Sequence, residues 1–335
     1  MFLTTGGPSH KASPDAMPKT ASDLTGRSCD KPAVKVSLLT RGGLSLDRLA
    51  SFLSVVDAGG ITSAAEGDPV RQSQLSRQLK ELEEFFGGTL IERRRGLFRL
   101  TAAGRELCEI ARTALTRLDD FERRCAGKPV EVHLGAGESI LVWMVLPRLG
   151  ELLASEPAVV LTLHNLQSEE VMRRLRDGRL DFGILRRTPT QAGLKSVALK
   201  PVEYALFAPR NPVSTRRPLD PQELLSKVPL ALLEGTGESN QALANWAEAQ
   251  GVALQTRLRC TSLLQAAEAV KRLGMAAILP TWAESSFTAG SVARLELPTL
   301  QSLRAPLQLV WSERQGAVRN FLARIAKAIS TSLTG

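Results

Sequence analysis

From Leu46 onward apolar residues recur at helical spacing, with Leu46, Leu49, Phe52, Leu53 and Val56 on one face, until Gly59-Gly60 end the run. A second short helix is predicted from near Thr62 or Ser63, where Ser63 and Glu66 form a capping-box pattern, to Gly67-Asp68-Pro69. Gln72 to Phe86 then carries Leu75, Leu79, Leu82 and Phe86 on one face, which packs inward on the first two helices. Gln72, Ser73, Ser76, Arg77 and Lys80 are left facing outward. After Gly87-Gly88, strand-like ends around Arg93-Arg94-Arg95-Gly96 predict a β-hairpin, and Thr101 caps a long helix to about Arg124. Two short helices, a polar-faced third and a hairpin wing are the parts with which a chain sets a helix into a DNA major groove.

On the long helix, Leu107, Ala111, Ala114, Leu115, Leu118 and Phe121 form an apolar stripe that a small domain cannot bury by itself. The same helix of a second copy is its simplest cover. Gly127-Lys128-Pro129 marks a boundary, beyond which strands and helices alternate in the manner of a parallel α/β fold. Strands are predicted near residues 130–136, 159–164, 180–185, 202–208, 229–233, 276–279 and 306–311, with helices near 140–155, 168–177, 240–249, 262–273 and 317–333. Residues 1–43 are rich in Ser, Thr, Pro, Gly and Lys without apolar periodicity, which predicts a disordered tail. That tail either binds DNA loosely through Lys11, Lys19, Lys31 and Lys35 or is an inert extension.

Length changes the picture little: 335 residues suffice for two or three cores. A hydrophobic share of 43%, with no apolar run near the roughly 20 residues that span a bilayer, speaks against a membrane protein. The first residues lack a basic, then apolar, secretion signal, so a cytoplasmic location is expected. Cys29, Cys108, Cys125 and Cys260 are scattered, which argues against a zinc site or a disulfide framework, and no cofactor is expected. The net charge of +9 suits a polyanion, but acids offset the bases within residues 44–101, so the positions of the arginines carry the argument.

Gln72 suits adenine and Arg77 guanine by bidentate pairing, Ser73 and Ser76 suit bases or phosphates, and Lys80 suits phosphate. Arg93, Arg94, Arg95 and Arg99 crowd the hairpin, where a guanidinium either meets phosphate, enters the minor groove or pairs with Glu92. In the α/β half, Ser139 follows Gly135-Ala136-Gly137 at a helix start, where it serves either as a ligand donor or as an N-cap. Thr261 and Ser262, Gln167 and Ser168 stand in the same relation to later helices, and Arg186 ends a strand. His133 and His164 fall on strands with no accompanying triad or metal pair, and read as core or strand-end histidines. No strand end gathers nucleophile, base and orienting group, so an enzyme is not expected.

Ala64-Ala65, the run Gln72 to Glu83, Leu90-Ile91-Glu92-Arg93 and Leu100-Thr101-Ala102-Ala103-Gly104 together resemble the N-terminal domain of LysR-type transcriptional regulators. Leu146-Pro147, Leu180 to Leu185 and Leu279-Pro280 extend the resemblance over nearly all of the chain after residue 44. It implies a winged helix-turn-helix at 44–101, a dimerising linker helix at 102–127, and a two-lobed effector-binding domain, similar to periplasmic binding proteins, at 128–335. Lobe I would span about 128–200 and 277–335, and lobe II about 201–276. The implied partners are promoter DNA with paired half-sites, a small-molecule effector in the interlobe cleft, a homodimer or homotetramer, and RNA polymerase. Arg186 hints at an anionic effector. The chain departs from the family where Asp68, between Gly67 and Pro69, replaces the usual leucine that ends the second helix, so that helix should be shorter or less well packed. The rival readings are a small-molecule binding protein with an N-terminal dimerisation module, which a secretion signal would favour although none is visible, and an α/β enzyme.

Overall fold

The computed structural model describes residues 42–94, 97–186, 193–210, 220–235, 238–313, 316, 319 and 321–334. A head of three helices comes first: α1 (Leu46–Asp57), α2 (Ile61–Ala65) and α3 (Pro69–Phe86). Ser45 caps α1, its hydroxyl accepting from the Arg48 N–H at 3.2 Å. α2 is little more than a turn; Gly60 opens it with no side-chain cap, so the expected Ser63–Glu66 box does not form. Glu66 ends it in the left-handed region, at φ 52°. α3 starts three residues before the predicted Gln72, because the Asp68 carboxylate accepts from the Val70 N–H at 2.8 Å and Pro69 presets the first-turn φ. Phe52, Val55, Ala65, Leu75, Leu79 and Leu82 close the head's core. Phe86, expected on that face, is exposed at the last turn and meets Phe85 edge-on.

The wing pairs β1 (Ile91–Arg94) with β2 (Leu97–Leu100), antiparallel, from Ile91 opposite Leu100 to Arg94 opposite Leu97. Its base is fixed twice. Glu83 of α3 accepts from the N–H groups of Leu90 and Ile91 at 2.8 and 3.3 Å, and the Thr101 hydroxyl donates to the Thr89 carbonyl at 2.7 Å. Thr101 also caps α4 (Ala102–Cys125), accepting from the Gly104 N–H at 2.9 Å. Gly104 lies so close to the Leu90 carbonyl that no Cβ would fit there.

The predicted apolar stripe of α4 splits into two. Leu107 and Ala111, with Cys108, complete the head's core, whereas Leu118 and Phe121 point to solvent, as does Ile110 outside the predicted stripe.

The sensor half runs β3 (Val130–Ala136), α5 (Glu138–Ile140), α6 (Leu149–Ser155), β4 (Val159–Asn165), α7 (Ser168–Arg176), β5 (Phe182–Leu185), β6 (Leu194–Val202) and β7 (Tyr204–Pro209). It continues through α8 (Pro221–Lys227), β8 (Leu230–Leu233), α9 (Glu238–Ala249), β9 (Thr256–Cys260), α10 (Leu263–Leu273), β10 (Ala277–Pro280), β11 (Val292–Leu295), α11 (Pro298–Gln301), β12 (Ala305–Ser312) and α12 (Phe321–Thr334). The single helix expected at 140–155 is broken: Leu141–Val145 is π-helical and Leu146–Arg148 is a 3₁₀ turn, since Pro147 has no N–H to continue the α ladder.

Lobe I is a five-stranded sheet in the order β4-β3-β5-β12-β6. β4, β3, β5 and β6 run in one direction and β12, antiparallel to both β5 and β6, opposes them, so the expected parallel sheet is in fact mixed. Its core joins Val132, Leu134, Phe182, Ile184, Leu307 and Leu309 to Leu322, Ile325 and Ile329 of α12. Lobe II places β7 between β10 and β11, both antiparallel to it, beside the parallel pair β8–β9. The chain crosses into lobe II between β6 and β7, close to the expected Lys200-Pro201. Its return differs from the expected Ala277: β10 and β11 are needed to satisfy both edges of β7, so the chain regains lobe I only at Ala305, where β12 pairs with Val202.

Candidate nucleic-acid interface and ligand cleft

The DNA-facing candidates of α3 are all solvent-accessible. Leu75, Leu79 and Leu82 anchor the helix, which turns Gln72, Ser73, Ser76, Arg77 and Lys80 outward. Arg77 and Lys80 each have an acid one turn on, Glu81 and Glu84, at 3.6 Å in both cases. Pairs this exposed contribute little, so both cations are available to a polyanion. Glu81 is held more firmly by Arg48 of α1, at 2.5 Å. A groove of about 320 Å³ between α1 and α3 is lined by Ser51, Ser54, Arg71, Gln74 and Gln78, among others. In the wing, Arg99 is exposed and stands opposite Glu92 across the ladder. Arg93 and Arg94 belong to β1, and Arg95 lies outside the described residues.

Four of the effector candidates follow the carboxyl ends of parallel strands. Ser139 lies just beyond β3, Gln167 and Ser168 beyond β4, and Arg186 beyond β5. Ser139 sits inside α5 and is not its N-cap, a position Gly137 takes. Gln167 occupies the N-cap position of α7 without a side-chain bond, and Ser168 is exposed beside it. Arg186 spans to lobe II, its guanidinium 5.5 Å from the centre of the Tyr204 ring.

On the lobe II side, Ser262 caps α10, accepting from the Leu264 N–H at 3.1 Å. Its hydroxyl donates across the lobes to Glu138 Oε2 at 2.5 Å. Thr261 turns to Gln265, its N–H and hydroxyl donating at 3.0 and 3.2 Å. The anion-seeking end of α10 thus already faces a carboxylate of the chain itself. This weakens the case for an anionic effector at that point of the cleft.

Several residues that hold these sites were not singled out from sequence. Trp143, read as isolated packing, leaves lobe I through the π-helical segment and joins the lobe II cluster of Ala205, Phe207, Cys260, Ala266 and Ala283. Arg319 is 6% exposed and binds Asp120 of α4 at 2.6 and 2.9 Å, Asp181 of lobe I, and the Glu131 carbonyl at 3.0 Å. Burial pushes the Asp181 carboxyl above its usual range, against the pull of Arg319 and the His133 N–H, which donates to it at 2.8 Å. Asp57, closing α1, receives Arg112 of α4 at 2.6 Å and also Arg179 of lobe I. The signal available in sequence was an aspartate in an otherwise exposed helix face at 120; Arg319, which joins the two aspartates, stands 199 residues from Asp120 and 138 from Asp181 along the chain.

His133 and His164 meet on adjacent strands, Nδ1 to Nε2 at 3.1 Å. Burial raises the thiol pKa values of Cys108 and Cys260, which lie in separate cores. Among the described residues no cluster of three or more His, Cys, Asp or Glu is placed to hold a metal, and no helix is long and apolar enough to cross a membrane.

Comparison with known proteins agrees with this architecture. A family model described as "Bacterial regulatory helix-turn-helix protein, lysR family" matches residues 46–105, and one described as "LysR substrate binding domain" matches residues 127–330. The probable hydrogen peroxide-inducible genes activator of Mycobacterium leprae is 30% identical over 229 residues, covering 64% of this chain and 73% of that protein. Among solved structures, full-length OxyR from Pseudomonas aeruginosa shares the fold with a TM-score of 0.57 at 20% identity, over 85% of this chain and 94% of that one. Full-length CbnR complexed with its target DNA does so with a TM-score of 0.51 at 22% identity, over 86% of this chain and 100% of that one. A winged head, a linker helix and a two-lobed sensor, matched in order by both family models, identify the chain as a member of the LysR family of transcriptional regulators.

Proposed function

We propose that α3 reads operator DNA through Gln72, Ser73, Ser76 and Arg77, with Lys80 and the wing arginines Arg93, Arg94, Arg95 and Arg99 gripping the backbone. The observation that carries this reading is the anchored leucine face of α3, which leaves its polar and cationic face free over the helix's length. The exposed Ile110, Leu118 and Phe121 of α4 favour pairing with a second copy, and a dimer reads paired half-sites. In this reading a small molecule, held near Ser139, Gln167, Ser168, Arg186, Thr261 and Ser262, sets the lobe arrangement and thereby the grip on the promoter. The regulator acts in the cytoplasm, catalyses no reaction, and hands its signal to RNA polymerase. The relative from Mycobacterium leprae is named for hydrogen peroxide, but Cys260, the cysteine within the two lobes, is buried with a raised pKa, which favours ligand sensing over thiol oxidation there.

Titration of the DNA flanking its own gene against competitor DNA, by gel shift, tests the reading. Arg77→Ala should cost about 1–3 kcal/mol at the preferred site and relax base preference, whereas Arg99→Ala should weaken all sequences alike. Equal losses on preferred and random DNA for both variants would remove α3 as the reading element.

A further inference from the structure

The early start of α3 has put an apolar residue where the DNA-reading face begins. Val70 is 68% exposed, although it lies between the capping Asp68 and a helix whose other aliphatic side chains turn inward. Its position follows from the cap: Asp68 and Pro69 add a turn ahead of Gln72, and in that turn Val70 falls on the stripe 70, 73, 77, 80. That stripe is the outward one, opposite Leu75, Leu79 and Leu82, and the Arg77 side chain on it is 77% exposed. An isolated exposed valine on a protein surface needs no explanation. This one shares its stripe with Ser73, Arg77 and Lys80 and occupies the helix's N-terminal turn, the part of a recognition helix that meets base edges.

The major groove displays a single apolar group on its base edges, the 5-methyl of thymine. Resting on the reading of α3 given above, we infer that Val70 is a specificity-determining residue that packs its side chain on a thymine methyl of the operator half-site, beside the base read by Arg77. No hydrogen bond is involved. Selectivity comes from removing the methyl and the valine from water together, and cytosine at that position offers no equivalent surface.

The test uses the full-length protein and the shortest fragment of its own upstream DNA that it protects from nuclease, with thymines replaced one at a time by uracil. Uracil pairs as thymine does and lacks only the methyl. One thymine per half-site should lose about three- to fivefold in affinity when replaced. Val70→Ala should bind the unmodified fragment more weakly by a similar factor and no longer distinguish thymine from uracil there. Val70→Thr, which keeps one methyl, should restore part of the distinction. Because Val70 is exposed, thermal denaturation of these variants should match the parent. The inference is overturned if Val70→Ala keeps the same uracil penalty as the parent, if no thymine is sensitive, or if the variant changes oligomeric state, which would assign Val70 to a second copy. Arg77→Ala separates the two levels. If it relaxes preference while Val70→Ala leaves the uracil series unchanged, only the methyl contact falls. If neither variant affects preferred-site binding, the reading of α3 falls with it.

Discussion

Lobe I meets the linker helix through buried ions, Asp120 and Asp181 converging on Arg319, with Arg123 and Glu131 at 3.2 Å alongside. It meets lobe II through Trp143, packed among alanines and Phe207, through Trp282, which packs on the cores of both lobes, through the Arg186 guanidinium over Tyr204, and through a hydroxyl–carboxylate bond between Ser262 and Glu138. The first junction is directional. Each buried charge depends on a partner at fixed geometry, so a shift of an ångström strands a carboxylate in the interior. The second is mostly non-directional, and a tryptophan sliding over small side chains loses little. The contrast makes the interlobe junction the less directional of the two, and ion pairs tie the head, α4 and lobe I together, Asp57 and Arg179 among them.

The strongest challenge to this contrast is Arg319→Met, which keeps length and removes the charge. Two carboxylates would be left without their guanidinium, at a cost of about 3–5 kcal/mol, read as a fall in the urea unfolding midpoint. A fall below about 1 kcal/mol would show that the linker junction is held by packing and not by ions. Glu138→Ala is expected to do less, about 1 kcal/mol, because the bond it removes is partly open to water. Its signature is a larger radius of gyration in solution scattering, whereas Glu138→Gln, which still accepts from Ser262, should stay close to the parent. Identical scattering for Glu138→Ala and parent would mean that the Ser262–Glu138 bond does not set the lobe angle.

The smallest expected effect is a pH dependence beside the ionic junction. Burial, followed by the charges of His133 and Arg174, holds the His164 imidazole below its ordinary pKa. The folded protein therefore resists a proton that the unfolded chain accepts near pH 6.5. This contribution is complete above that pH and is lost as the pH falls below it. Thermal denaturation at about pH 7.5 and about pH 5.5 should show a gap that His164→Asn narrows. An undiminished gap would locate the acid loss in other groups.

Much of the head was legible because its determinants are local. The spacing of Leu75, Leu79 and Leu82 and the Thr101 cap each act within a few residues. The position where α3 begins was less so. Asp68 competes with Glu66 and Gly67 for the turn, and only the formed cap shows that Val70 lies inside the helix. Glu83 read as one more acid offsetting the bases, yet it fastens the wing to α3.

In the sensor half, periodicity revealed most of the strands but not their partners. It missed β6, β9 and β11, and it returned the chain to lobe I too early, because pairing to β7 is decided between strands about 70 residues apart or more in sequence. The amino-acid order by itself determined which face of α3 is apolar and that Thr101 caps α4, since those depend on neighbours one turn away. Only the tertiary structure decided that Arg319 joins Asp120 to Asp181, that Glu138 reaches Ser262 and that Trp143 crosses between lobes. The reason is physical: a buried charge or an interlobe bond gains its value from a partner brought near by the whole fold, and nothing in the local chain encodes who that partner is.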